Sequence, residues 1–284
     1  MAKEPRSDNS LFFYFLLTFG FSWFFWLIGV LATFGLFALP FPSMVLTVIG
    51  AFGPLVAALW LTQRQGGWPA VKSLLAAGFN FRMKPIWWAC IILLPFILSG
   101  IAVWANVLQN GYQPDMTLLQ QPAMILPTFL FMFFMGGSFQ EEYGWRGFAL
   151  PRLLEKWNPA SASLILGAVW GFWHLPLFYI ADTGQYFMPF GVFLLMVIAF
   201  SVLFTWASIK ANGNLFSALL LHTAINTAMS VFPPIEKVMG GNQMALTYLM
   251  MAYAIVSSVI LVKDRALFFP KAAAQARPRS GVTG

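Results

Sequence analysis

Ionisable side chains are scarce in this 284-residue sequence, and three short strings gather those able to do chemistry. They are Phe139-Gln140-Glu141-Glu142-Tyr143-Gly144-Trp145-Arg146, Trp170-Gly171-Phe172-Trp173-His174 and His222-Thr223-Ala224-Ile225-Asn226. Both histidines of the chain are among them. On a helix, residues four apart share a face whereas neighbours point about 100° apart. Glu142 can therefore pair with Arg146, leaving Glu141 facing elsewhere as a proton acceptor. Two adjacent carboxylates near a low dielectric suit general acid–base work. Two solvated glutamates ending a membrane helix would read the same way. His222 and Asn226 share a face one turn apart, so they can polarise one carbonyl oxygen from two sides, or the histidine can bind a metal. Interhelical hydrogen bonding is the plainer alternative. His174 precedes Pro176, whose ring removes a helical hydrogen bond to Phe172 and favours a kink beside the imidazole.

The elements that must position these groups are membrane helices. The chain is 60% apolar, 18% aromatic and 9% charged, with 31 Phe and 12 Trp. A soluble domain carries about 25% charged residues, so this composition excludes an ordinary cytosolic enzyme. Basic residues are dispersed between apolar blocks, which argues against nucleic-acid binding. Since about 20 apolar residues span the hydrocarbon, eight runs qualify: 11–37, 44–62, 86–106, 122–148, 160–179, 187–209, 215–231 and 243–262. The first is too long for a signal-peptide core and reads as a retained helix. Cys90, the single cysteine, permits no intrachain disulfide and reads as a small buried hydrophobe.

With the N-terminus cytoplasmic, all 16 Lys and Arg except Lys237 fall in inside segments. That asymmetry sets the orientation and accounts for the net charge of +7 as a topology signal. The expected fold is all-α, a polytopic transmembrane helical bundle of about eight membrane helices with both termini cytoplasmic. Residues 71–84 mix basic and apolar types and are expected along the cytoplasmic interface, Trp87, Trp88, Trp104 and Trp157 sit near span ends, and the tail from Lys271 reads as a disordered end. Three regions follow: 1–121, the first three helices with the interfacial segment; 122–231, helices four to seven, which carry the three strings; and 232–284, the last helix and tail.

Depth ties the three strings together. At 1.5 Å per residue, Glu142 lies roughly 13 Å from a helix end at Pro151 and His222 roughly 12 Å from a start near Asn214, both counted from the cytoplasmic side. His174 is deeper, roughly 21 Å from a start at Ala160. Glutamate, two histidines and an asparagine at comparable depth imply one cavity, expected to open to the cytoplasm.

The ordered motifs EExxxR (Glu141, Glu142, Arg146), an aromatic four positions before a histidine (Trp170, His174) and HxxxN (His222, Asn226) resemble the CPBP family of intramembrane metalloproteases. That family includes the type II CAAX prenyl proteases and abortive-infection and bacteriocin-immunity relatives. The family aromatic is Phe, replaced here by Trp170, a change that preserves a flat apolar wall. The resemblance covers about residues 122 to 231. It implies an intramembrane endopeptidase acting near the cytoplasmic leaflet, with Glu141 activating water together with His174, His222 and Asn226 holding the oxyanion, and Glu142 and Arg146 as the supporting pair. It leaves open a metalloendopeptidase or a glutamate protease. The cofactor in the first case would be a divalent metal, zinc foremost, with Glu141, His174 and His222 as candidate ligands; an HExxH motif is absent. Implied partners are membrane lipid and a hydrophobic or lipid-modified protein or peptide substrate, in a bacterial or archaeal cell membrane. Two other classes remain: a catalytically silent scaffold or immunity-type protein, and a proton-coupled transporter, for which the repeated halves of such proteins are not visible.

Overall fold

The computed structural model describes residues 9–270, so the basic N-terminal residues Lys3 and Arg6 and the tail from Lys271 lie outside the described residues. Every regular element within them is helical: α1 (Ser10–Thr33), α2 (Met44–Ala51), α3 (Gly53–Ala77), α4 (Pro85–Asn110), α5 (Thr117–Gln120), α6 (Ile125–Phe134), α7 (Ser138–Gly144), α8 (Leu150–Lys156), α9 (Pro159–Trp173), α10 (Phe190–Lys210), α11 (Leu215–Val231), α12 (Met244–Lys263) and α13 (Arg265–Phe268). In hydrocarbon every backbone amide must be satisfied within the chain, which is why apolar runs of this length become helices. Seven stretches are long and apolar enough to cross a membrane, and the protein is an integral multi-pass membrane protein.

The eighth expected span, α11, is shorter at 17 residues, and all but three of them are buried. It packs against α4, α6, α7 and α10. A helix surrounded on all sides needs no continuous lipid-facing surface, so it can carry Ser217, His222, Thr223, Asn226 and Thr227. Close approach elsewhere relies on small residues. A Cβ at Gly167 of α9 would lie 2.8 Å from the Ile198 backbone of α10.

Three expected helices are broken where the backbone demands it. The run 122–148 divides: α6 stops at Phe134, Gly137 adopts φ 105°, and α7 starts at Ser138. Between α7 and α8 the chain makes a π turn over Trp145–Ala149. Such insertions recur at functional sites because they re-aim side chains. The run beginning at Met44 is interrupted at Phe52 and extends to Ala77, with a break at Gly67 (φ 65°), two residues before Pro69. Pro176 ends α9 rather than kinking it, so His174 occupies the C-cap and a 3₁₀ turn follows over Leu175–Tyr179. Cys90 is half-buried. Trp87 and Trp88 pack edge-on or tilted against Trp206 and Phe216, ring centroids 5.2 and 5.3 Å apart, so they join helices as well as sitting near a span end.

Hydrogen bonds show which helix ends lie together. At one end Asn214 donates to the Asn80 carbonyl at 2.8 Å, Arg152 to Gln65 at 2.9 Å and Lys210 to Asp264 at 2.6 Å. At the other, Asn106 donates to Asn242 at 3.1 Å, Tyr112 to the Pro233 carbonyl at 3.0 Å and Ser43 to Asp182.

Candidate active site

The glycine break before α7 creates the site. Gly137 N–H donates to the Gln140 Oε1 at 3.0 Å, and Gln140 in turn donates to the Val48 carbonyl at 3.3 Å, fixing the start of α7 against α2. Tyr143 donates to the Leu75 carbonyl at 2.9 Å, tying α7 to α3. On the opposite side Thr223 of α11 donates to Ser138 at 3.0 Å. A side chain at 137 would be strained by φ alone. It would also collide, since a Cβ there would stand 2.6 Å from Glu141 Oε1 and 3.2 Å from His222 Nε2. Glycine at 137 thus keeps open the point where carboxylate and imidazole converge.

All seven motif residues come together. Glu142, fully buried, accepts with one oxygen from both Arg146 Nη1 at 3.0 Å and His222 Nδ1 at 2.8 Å. The four-residue spacing therefore produces the expected pair, and the pair also holds an imidazole across the helix interface. The Arg146 guanidinium lies between two aromatic faces, 4.4 Å from the Trp170 ring and 4.1 Å from Phe204. Planar, delocalised charge suits such a slot, where an ammonium would lose more hydration. His174 Nδ1 is 2.8 Å from the Trp170 carbonyl. A carbonyl only accepts, so Nδ1 carries the hydrogen and Nε2 is left as an acceptor. Asn226 donates to the Gly136 carbonyl at 2.6 Å, the group freed by the break. Its amide has a second hydrogen for another acceptor.

Trp170 does more than provide a wall. Its indole Nε1 donates to Glu141 Oε2 at 2.6 Å, a contact that phenylalanine could not make. Gln140 and Gly137 also went unrecognised as site residues. Their signal was present in Gly136-Gly137-Ser138, a helix breaker followed by a start, with Gln140 placed to reach back.

These groups line a cavity of about 150 Å³, room for several waters. Glu141, Trp170, His174, Phe204 and His222 form its buried part, while Gly136, Gln185, Met188, Asn226 and Met229 are half-buried. Gln185 and Met188 belong to the α9–α10 link, so that link borders the cavity. Among the described residues no three His, Cys, Asp or Glu side chains are grouped so as to hold a metal ion. Glu141, His174 and His222 share the cavity without forming such a ligand set, and the chemistry below is carried by the chain's own groups.

Known proteins share this block. Residues 122–228 match the family described as type II CAAX prenyl endopeptidase Rce1-like. A protein named CAAX prenyl protease 2 from the archaeon Methanococcus maripaludis is 26% identical over 150 residues, 50% of this chain and 52% of the relative. The chain thus matches about half the length of that relative. Both comparisons bear out the resemblance to CPBP-family proteases read from the three motifs, and the family match spans the residues that build the site.

Proposed function

We propose that the cavity is the active site of an intramembrane endopeptidase in which Glu141 is the general base. The observation that carries this reading is the division of labour between the paired carboxylates. Glu142 is committed to Arg146 and His222, whereas Glu141 turns a carboxylate oxygen toward the space it shares with His222 Nε2. A water held between Glu141 and the Nε2 of His174 loses a proton to Glu141 as its oxygen bonds to the scissile carbonyl carbon. His222, in its protonated form, and the free hydrogen of the Asn226 amide donate to the resulting oxyanion. Collapse of that intermediate breaks the C–N bond, and Glu141 returns the proton to the departing amine. Glu142 positions His222 and balances its charge, and the apolar walls exclude bulk water so that each of these interactions is stronger.

The proposed substrate is an apolar or lipid-modified peptide segment, because Phe193, Met196, Val197, Phe200 and Ile225 make the rest of the lining. The test is cleavage of a library of hydrophobic peptides by purified protein in liposomes, comparing wild type with Glu141→Ala, each with and without chelator. Products from wild type and none from the variant support the reading, and chelator sensitivity decides whether a metal takes part. Absence of products from the wild type throughout would favour a silent scaffold.

A further inference from the structure

Away from the catalytic cavity, a groove of about 240 Å³ lies between α1 and α3, lined by Ser10, Phe13, Trp60, Leu61, Arg64 and Gln65. The two helices run antiparallel: a Cβ at Gly53 would lie 2.8 Å from the Thr18 carbonyl, and the first turn of α1 stands level with Arg64. Both helices change character at this level. After Ser10, α1 turns apolar with Leu11, Phe12 and Phe13, and after Leu61, α3 turns polar with Thr62, Gln63, Arg64 and Gln65. In a bilayer such a boundary marks where hydrocarbon gives way to headgroups. The groove therefore sorts its lining by depth, with Phe13, Trp60 and Leu61 on the hydrocarbon side and Ser10, Arg64 and Gln65 on the headgroup side. Its polar groups keep capacity for a ligand. Arg64 is exposed, stands with Cζ 5.6 Å from the centroid of the Trp60 ring, and pairs with no carboxylate among the described residues. A cation–π contact orients a guanidinium without neutralising it. Gln65 accepts through Oε1 from Arg152 Nη2 at 2.9 Å, which brings a second guanidinium beside the groove and leaves the Gln65 amide hydrogens for an acceptor. Ser10 is 6% exposed, and its hydroxyl makes no hydrogen bond among the described residues. The N-terminus of α1, where Asn9 makes no side-chain cap, adds the positive end of the helix dipole.

We infer that this groove is a binding site for an anionic phospholipid, its phosphate on Arg64, Ser10 and Gln65 and the upper part of an acyl chain against Phe13, Trp60 and Leu61. A guanidinium suits a phosphate because two of its N–H groups reach two oxygens at once. A zwitterionic lipid offers the same phosphate but brings its own ammonium toward Arg64 and Arg152. Free phosphate lacks the chain that the aromatic half of the groove would cover. A lipid of net negative charge matches both halves. Because Ser10 belongs to α1 and Arg64 to α3, a headgroup held by both fastens the two helices together. The inference stands apart from the proteolytic reading.

Lipid titrations of the purified full-length protein, read by native mass spectrometry and by thermal midpoint, test it. The probes are phosphatidylglycerol, phosphatidylcholine and, without acyl chains, glycerol 3-phosphate. The inference expects phosphatidylglycerol to bind about fivefold more tightly than phosphatidylcholine and to raise the midpoint. Arg64→Gln is expected to weaken phosphatidylglycerol about fivefold, the share of one basic group near an anionic surface. Lys84→Gln removes an exposed cation at the start of α4 that does not line the groove, and is expected to leave the affinity within about twofold. Trp60→Leu keeps an apolar wall but no longer orients the guanidinium, so it gives a loss smaller than that of Arg64→Gln. Equal affinities for the two lipids, or equal losses in Arg64→Gln and Lys84→Gln, would overturn the inference and leave only general attraction to lipid. Glycerol 3-phosphate binding as tightly as phosphatidylglycerol would overturn it in favour of a soluble phosphate ligand. Should Arg64→Gln fail to accumulate, the lipid preference of the wild type and the loss in Trp60→Leu decide the question. None of these readouts needs turnover, so they hold in Glu141→Ala even if no peptide is ever cleaved.

Discussion

The floor and the mouth of the cavity are built on opposite principles. At the floor each charged group is committed: Glu142 bridges Arg146 and His222, and Arg146 is clamped between two aromatic rings. Toward the mouth the polar groups keep a hand free, with Asn226 holding only the Gly136 carbonyl and His174 only the Trp170 carbonyl. Burying charge is tolerable only when it is paired. The floor therefore spends its ionic groups on one another, with Glu142 Oε2 and the Nε and Nη2 of Arg146 left without hydrogen-bond partners, and the open side keeps the second Asn226 hydrogen and the Nε2 of His174 for binding and chemistry. Glu141 stands between the two, one oxygen held by Trp170 and the other turned to the cavity.

Substitutions along this axis separate the two halves. At the junction, Glu141→Ala is expected to lower kcat by at least 10²- to 10⁴-fold, the range for a general base, with the thermal midpoint kept or raised because like-charge repulsion is relieved. Peptide cleavage measured beside thermal unfolding checks this, and a variant that unfolds would give Glu141 a structural role instead. At the floor, Arg146→Ala strands Glu142 in the interior and is expected to cost about 3–5 kcal/mol of stability together with activity. A harmless Arg146→Ala, read by the same unfolding assay, would erase the contrast between floor and mouth.

Smaller effects sharpen it. Trp170→Phe keeps a ring over Arg146 but removes the donor to Glu141. A hydrogen bond to a charged group contributes about 1.5–3 kcal/mol, so kcat is expected to fall roughly 10- to 100-fold with KM little changed. A fall in stability without a kcat effect would make the indole a packing group only. Smallest is the latch at the basic end, where the Lys210 ammonium, and next the Trp206 indole, hold the Asp264 carboxyl below its ordinary range. A depressed carboxylate contributes stability above its unfolded value, about pH 4, and loses it as pH falls through the lower folded value. The pair is partly exposed, so Lys210→Ala is expected to cost under about 1 kcal/mol at neutral pH and less as the medium is acidified, followed by unfolding at several pH values.

Most of the site was legible because its parts obey helical spacing. Glu142 and Arg146 pair as i and i+4 residues must, and His222 with Asn226 share the face that i and i+4 residues share. The helical class was legible for a simpler reason, since apolar runs without charge leave no other structure in lipid. Spacing could not reveal the break at Gly137, because a tertiary approach decides it: the glycine is required by Glu141 and by His222, which arrives from a helix 80 residues later. The Trp170 contact with Glu141 spans 29 residues and depends on how α9 is rotated against α7, which no single helix encodes. The part of the α9–α10 link in the cavity wall was hidden likewise, because loops of that kind carry no periodic signal.

The central claim is that Glu141 acts as a base while its neighbour acts as a strut, and the most direct measurement sets Glu141→Gln against Glu142→Gln in one liposome preparation, recording peptide cleavage and thermal midpoint together. The account predicts that Glu141→Gln loses cleavage with its midpoint within a degree or two of wild type, whereas Glu142→Gln loses both. Cleavage surviving in Glu141→Gln, or an equal loss of stability in the two variants, would contradict it.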